Sequence, residues 1–168
     1  MEYIFRKISI NEFDRLYDLF PDKDKKDLWE MYKEKRLQEL ANNETDTYVV
    51  EDNDKFVGEV SVNYVSHDLE KETIPNQRVY LQAYRVDKNY QGKGIGQELI
   101  QFVLDDLEKA GYTEFTIGVE EDNEIAKHIY FKFGFTEAID VGKGDIFDPT
   151  DYTLYMRKIE KTKGEIKW

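Results

Sequence analysis

The sequence predicts a mixed α/β domain with a mostly antiparallel central sheet flanked by helices, and three observations carry that reading. Three strand-like segments follow one another at 46–52, 55–65 and 78–87. A glycine-rich turn then leads directly into a strongly amphipathic helix and a further strand, a βαβ unit. The 168 residues, 40% hydrophobic and 14% aromatic, suffice for one buried core and exclude a disordered chain.

The elements follow in order. Residues 2–8 read as a first strand. Ser9-Ile10-Asn11-Glu12 is a capping box, and Phe13, Leu16, Tyr17 and Phe20 then recur at the spacing of one helical stripe, up to Pro21-Asp22. A second helix is predicted over 24–41, with Leu28, Trp29, Tyr32, Arg36 and Leu40 along one side. Asp52-Asn53-Asp54 is a tight turn between two strands, the second with Phe56, Val60, Val62 and Tyr64 facing one way. Residues 66–77 are polar, contain Pro75 and read as a loop before the strand 78–87. Ile95, Leu99, Val103, Leu107 and Ala110 mark the buried side of a helix over 94–110, stopped by Gly111. A strand at 114–119 precedes a helix capped by Asp122 or Asn123 and broken at Gly134-Phe135. Two more strands are expected near 135–142 and 150–159. Residues 1–160 thus read as one domain and 161–168 as a charged C-terminal tail.

The formal charge of −12 argues against a nucleic-acid partner, which requires a basic surface, and against anionic membranes. It is compatible with a cationic substrate. Without cysteine there is no thiolate nucleophile, disulfide or zinc–thiolate site, and two histidines, His67 and His128, make a histidine-rich metal site improbable. The N-terminus does not resemble a signal peptide, and no stretch reaches the length of a membrane span. A cytoplasmic location is the expectation.

Tyr90-Gln91-Gly92-Lys93-Gly94-Ile95-Gly96 lies between a strand and a helix. Glycines open backbone conformations closed to other residues and let a ligand approach the main chain. Successive N–H groups can form a nest for anionic oxygens, and the helix start adds its own unpaired N–H groups. Two phosphate-binding patterns do not fit. A P-loop requires Gly-x-x-x-x-Gly-Lys-Ser/Thr, and a dinucleotide fingerprint requires Gly-x-Gly-x-x-Gly after an early strand. The spacing Gln/Arg-x-x-Gly-x-Gly/Ala fits at Gln91, Gly94 and Gly96, although a structural turn would also use these glycines.

In context this segment resembles the GNAT (Gcn5-related N-acetyltransferase) family. Tyr84-Arg85-Val86-Asp87-Lys88-Asn89-Tyr90-Gln91-Gly92-Lys93-Gly94-Ile95-Gly96 looks like its strand-four and motif-A segment. Asn123-Glu124-Ile125-Ala126-Lys127-His128-Ile129-Tyr130-Phe131-Lys132-Phe133-Gly134-Phe135 is similar to its motif B. The specific motifs cover about 86–135, and the first sixty residues agree at the level of fold. The resemblance implies an acyl-CoA N-acyltransferase fold in which strands four and five splay apart. It implies an acetyl-CoA-dependent N-acetyltransferase, with acetyl-CoA as co-substrate, no metal, and direct attack by a primary amine.

Residue by residue, the resemblance implies a pantetheine arm entering beside Tyr84 and Val86. The Val86 N–H would contact the cofactor or polarise the thioester carbonyl. Backbone N–H groups of Gln91, Gly92, Lys93, Gly94, Ile95, Gly96 and Gln97 would hold the pyrophosphate. Asn123 would bond the pantetheine, Ala126 would leave it room, and Tyr130 would act as general acid toward the departing thiolate. Asn123 has a plain structural alternative as a helix cap, and Tyr130 as a core residue packed with Ile125, Ile129 and Phe133. Lys88, Lys93, Lys127 and Lys132 flank the motifs, where phosphates would favour positive charge.

The base is not legible. The family's strand-four carboxylate aligns with Gln82, which cannot serve, leaving Glu59, Glu120 and Glu121 as candidates, Glu59 first. The acceptor wall is expected from 20–45 and 66–77, with Trp29, Tyr32, Tyr48, Tyr64 and His67 nearby. His67 reads as a surface histidine. A small amine, a polyamine or a peptide amine all fit, the acidic charge mildly favouring a polyamine. Two other classes stay open: an acetyl-CoA-binding sensor without turnover, and an interaction domain that merely keeps the fold. A homodimer is possible.

Overall fold

The computed structural model describes residues 2–21, 23–144, 146 and 149–159; the expected tail at 161–168 lies outside them. The strands are β1 (Ile4–Lys7), β2 (Thr45–Asp52), β3 (Lys55–Asn63), β4 (Arg78–Val86), β5 (Glu114–Val119), β6 (Glu137–Gly142) and β7 (Tyr152–Lys158). The α-helices are α1 (Lys26–Ala41), α2 (Ile95–Lys109) and α3 (Glu124–Lys132). The strands form one open sheet in the order β1-β2-β3-β4-β5-β7-β6. Only the central β4–β5 pair is parallel, because α2 carries the chain back across the sheet.

The first helical segment differs from expectation. Ile10–Leu19 winds as a 3₁₀ helix, and its buried residues Phe13, Leu16 and Leu19 fall every third position. Three residues per turn align such a row, whereas the α pattern read from Phe13, Leu16, Tyr17 and Phe20 does not include Leu19. The capping box is formed, with the Ser9 N–H donating to Glu12 Oε1 at 2.9 Å. The loop 66–77 also contains a short 3₁₀ turn, Glu70–Glu72.

Asn53 and Asp54 both take positive φ, 51° and 65°, as a two-residue hairpin turn between twisted strands requires. Beyond it the register slips between Val50 and Glu51, a bulge that changes which face successive residues of β3 present. Phe56 therefore packs with Val49, Phe13 and Trp29 on one face, while Val60 and Val62 pack on the other. The simple alternation expected from Phe56 to Tyr64 is interrupted there.

Two cores result. On one face α2 buries Leu99, Ile100, Val103, Leu104 and Leu107 against Val50, Val60, Val62, Val79, Leu81, Phe115 and Ile117. On the other, the 3₁₀ helix and α1 bury Phe13, Leu16, Phe20 and Trp29. Beneath α1 the sheet is polar. Buried Arg36 donates to Thr45 Oγ1 at 2.8 Å, Asn63 Oδ1 at 3.2 Å and Glu39 Oε1 at 2.8 Å.

Candidate active site

The site begins where the central strands part. β4 and β5 pair only from Arg78↔Glu114 to Leu81↔Ile117, yet β4 continues to Val86 and β5 to Val119. A bulge coincides with the parting. Glu59 pairs with Arg85 and Ser61 with Gln82, so Ala83 and Tyr84 together face Val60, and Ala83 takes a φ of 54°. The extra residue turns Tyr84 toward α2 and α3, and Arg85 toward α1. Without it the period of two would reverse both.

A cleft of about 660 Å³ opens in this gap. Tyr84, Leu81, Ile117, Val119, Asn123, Ala126 and Tyr130 line it, together with Tyr32, Arg85, Gln82, His67, Asp68, Tyr80, Glu120, Lys143 and Tyr152. The Tyr84 and Tyr130 rings meet edge-on, with centroids 6.0 Å apart. Burial pushes the Tyr84 phenol up to about 12 and raises that of Tyr130 further, so both stay protonated and able to donate. Tyr130, 7% exposed, also packs against Phe135. Its core role and its position on the cleft coexist.

Asn123 caps α3, its Oδ1 accepting from the Ala126 N–H at 3.0 Å.

The glycine loop adjoins the cleft across Tyr84. Gly92 and Gly94 take φ of 78° and 80°, and a Cβ on either would meet no atom within 4 Å. Gly94 is the N-cap of α2. Gly96 works differently: a Cβ there would lie 2.0 Å from the Tyr84 hydroxyl and 3.0 Å from Val86 Cγ2. It lets the helix start sit directly on the end of β4. The Gln91 side chain donates to the Val86 carbonyl at 3.0 Å, tying the loop to that strand. Lys93 stacks over the Tyr90 ring at 5.3 Å. Neither Val86 nor residues 91–97 line the cleft itself. They adjoin it across Tyr84.

The carboxylates part company. Glu59, 1% exposed, lies behind Arg85 and 3.4 Å from its NH1, on the α1 face and outside the cleft lining. Burial raises its carboxyl against the pull of Arg85. Glu121 is engaged with Thr153, with Tyr155 at 3.2 Å and with Lys127 at 3.0 Å. Lys127 is correspondingly committed to carboxylates. Glu120 lines the cleft.

Of the aromatic wall expected from the sequence, Tyr32 and His67 line the cleft, and the others have structural positions. Trp29 is buried among Phe13, Phe20 and Leu16. Tyr48 bonds Asp106, and Tyr64 bonds Asp46 at 2.6 Å. The cleft is not acidic either: Lys35, Arg36, Arg85 and Lys143 line it beside Asp68 and Glu120. Arg85 lies within the motif-A segment but had no role assigned to it from sequence, and Tyr80 and Tyr152 lie in no motif.

The family model described as acetyltransferase (GNAT) family matches residues 11–135. The chain is 34% identical over 89 residues to N-alpha-acetyltransferase 30 of Schizosaccharomyces pombe, covering 53% of this chain and 56% of that protein. It is 38% identical over 53 residues to the ribosomal protein bS18-alanine N-acetyltransferase of Escherichia coli, covering 32% and 36% respectively. The matches thus span about half of the one relative and a third of the other. The crystal structure of PaiA N-acetyltransferase from Thermoplasma acidophilum in complex with coenzyme A shares the fold, with a TM-score of 0.68 at 20% identity over 95% of this chain and 100% of that one.

Proposed function

The chain belongs to the acetyltransferase (GNAT) family, and from that premise we propose that it moves an acetyl group from acetyl-CoA to a primary amine by direct attack. The observation that carries the proposal is the parting of β4 and β5 beyond Leu81 and Ile117, which opens a cleft lined by Tyr84, Asn123, Ala126 and Tyr130 beside the glycine-capped start of α2.

The residues fit the co-substrate on their own terms. Gly92 and Gly94 leave open space where side chains would project, and the first turn of α2 offers N–H groups to a pyrophosphate. In the proposed arrangement Gln91 to Gln97 hold those phosphates, with Lys93 adding charge. Tyr84, Val86, Asn123 and Ala126 flank the arm. Bound acetyl-CoA supplies an activated thioester. The Val86 N–H is assigned to the oxyanion that develops on attack, and Tyr130 to the departing sulfur. Because burial keeps the Tyr130 phenol protonated, it serves the departing sulfur as a hydrogen-bond donor as charge builds there. Glu59 pairs with Arg85 behind the cleft lining, so it holds that guanidinium in place, and a permanently charged guanidinium cannot relay a proton to it as base.

The mixed lining favours an amine bearing a single positive charge over a polycation. A peptide α-amine meets that requirement, and the relatives named above are, by name, an N-alpha-acetyltransferase and a ribosomal protein bS18-alanine N-acetyltransferase. The test is calorimetric titration with acetyl-CoA of the wild type and of folded Gly94→Glu, followed by thiol release with an alanine-initiated peptide and with spermine. Binding lost in the variant and CoA release with the peptide are expected. A folded wild type that does not bind acetyl-CoA would sink the proposal. Binding without release by any amine would favour an acetyl-CoA sensor.

A further inference from the structure

The proposed reaction lacks a proton acceptor for the incoming ammonium, and the cleft has one that neither motif touches. Glu72 sits at the end of the 3₁₀ turn between β3 and β4 and is 0% exposed. A carboxylate out of water is costly unless its oxygens are satisfied. Here Oε1 accepts from the Ser66 hydroxyl and Oε2 accepts from the Tyr152 hydroxyl at 2.7 Å. The Leu69 N–H also donates to the carboxylate, and the Thr116 hydroxyl fixes the Glu72 carbonyl at 2.8 Å. Tyr80 lies beside Tyr152. Both tyrosines line the cleft, and Glu72 does not. A buried carboxylate thus reaches the cleft through a phenol at hydrogen-bond distance.

We propose that the acceptor ammonium is deprotonated by the Tyr152 oxygen while the Tyr152 hydroxyl passes its own proton to Oε2 of Glu72. This rests on the acetyltransferase reading above. One N–H bond breaks and one O–H bond forms on Tyr152. Its former O–H breaks and a new one forms on Glu72, which becomes a neutral acid. The amine is left free to attack. The proton returns to solvent by the reverse path after product leaves. Tyr152 is the group that meets substrate, and Glu72 is the positioning residue that orients and discharges it.

The surroundings of Glu72 suit the task. Burial raises its carboxyl above the ordinary range, toward the pH at which a base is most effective. Asp68 adds like charge in the same direction, while Ser66, Tyr152 and Leu69 pull the other way by hydrogen bonding. The nearby cations are committed elsewhere. Lys71 donates to the Ile139 carbonyl at 3.3 Å, and Arg78 pairs with Glu114 at 2.8 Å. Asp68 is exposed, so its carboxylate is a better anchor for an ammonium than a sink for its proton.

The experiment compares wild type, Glu72→Gln, Tyr152→Phe and the double variant, using acetyl-CoA and an alanine-initiated peptide amide from pH 5.5 to 9. Each single variant is expected to lower kcat about 100-fold, with the KM for acetyl-CoA unchanged and the double variant no worse. The acid limb of kcat/KM should move up to the ionisation of the peptide amine itself, about 8. Wild-type kcat in either variant, multiplying losses, or an unmoved limb would overturn the relay. Tyr152→Phe leaves the Ser66, Leu69 and Thr116 bonds to Glu72 in place, which separates proton transfer from support of the loop. The carboxyl stretching band that vanishes in Glu72→Gln decides the matter where the peptide is not a substrate, an outcome that counts against the acceptor reading alone. Titration of that band above the ordinary glutamate range supports the relay, and titration at the ordinary value of about 4.3 or below overturns it.

Discussion

Substituting Gly96 by alanine tests how the helix start is seated on β4. The added Cβ would stand 2.0 Å from the Tyr84 hydroxyl oxygen and 3.0 Å from both Tyr84 Cζ and Val86 Cγ2. Unstrained contacts need about 3.5 Å, so the hydroxyl must retreat by roughly 1.5 Å. Its ring is held against Tyr130. Overpacking of this kind costs about 1–3 kcal/mol, offset by up to about 1 kcal/mol from replacing a helical glycine. The net loss expected in the wild-type background is about 0–2 kcal/mol. In a Tyr84→Phe background the closest contact disappears and the helix gain remains, so the same substitution should become neutral or stabilising. Urea unfolding of the four proteins at 25 °C reads the coupling directly, with about 1–2 kcal/mol expected. In thermal melts this is about 2–4 °C per kcal/mol for a chain of this size. A coupling below about 0.3 kcal/mol, within ordinary additivity, would refute the close seating and with it the role assigned to Gly96.

Two further outcomes follow from the described contacts. Tyr130→Phe should lower kcat for thiol release by about 100-fold while calorimetric affinity for acetyl-CoA is kept, and equal loss of both would assign Tyr130 to packing alone. Glu12, bridged to Arg6 at 2.6 and 2.9 Å, has a carboxyl lowered from about 4.5 to about 2 by that guanidinium and by the Ser9 N–H. A lowered pKa means that the folded state binds fewer protons, so this stabilisation is present above about pH 4.5 and fades toward about pH 2. Glu12→Gln should therefore be less stable than wild type at pH 7 and should converge with it as pH falls through that window, as followed by denaturant unfolding.

What the sequence disclosed was whatever a short window encodes. The glycine loop, the α2 stripe from Ile95 to Leu107, the Asn53-Asp54 turn and the proximity of Asn123, Ala126 and Tyr130 on one helix are all local patterns, and the structure places them accordingly. The rest depends on register. A bulge at Ala83 decides that Tyr84 faces Tyr130 and Arg85 faces Glu59, and no residue type at 83 announces a positive φ. The slip opposite Val50 likewise interrupts the alternation of β3. Glu72 sits in a segment polar enough to pass for a solvated loop, and its burial comes from β5 and β7, remote in sequence. Trp29, Tyr48 and Tyr64 looked like a substrate wall because aromatic residues serve cores and clefts equally well.

The short β4–β5 ladder has a mechanical meaning as well. Four register pairs join the β1–β4 side of the sheet to the β5–β7 side, where the neighbouring β3–β4 and β5–β7 ladders have five and six. The sheet narrows to an isthmus at its centre, and the proposed site lies in the notch beside it. A molecule wedged there and gripped from both banks would act as a keystone. Its binding energy would appear as resistance of the whole fold to unfolding, growing with ligand concentration as mass action requires.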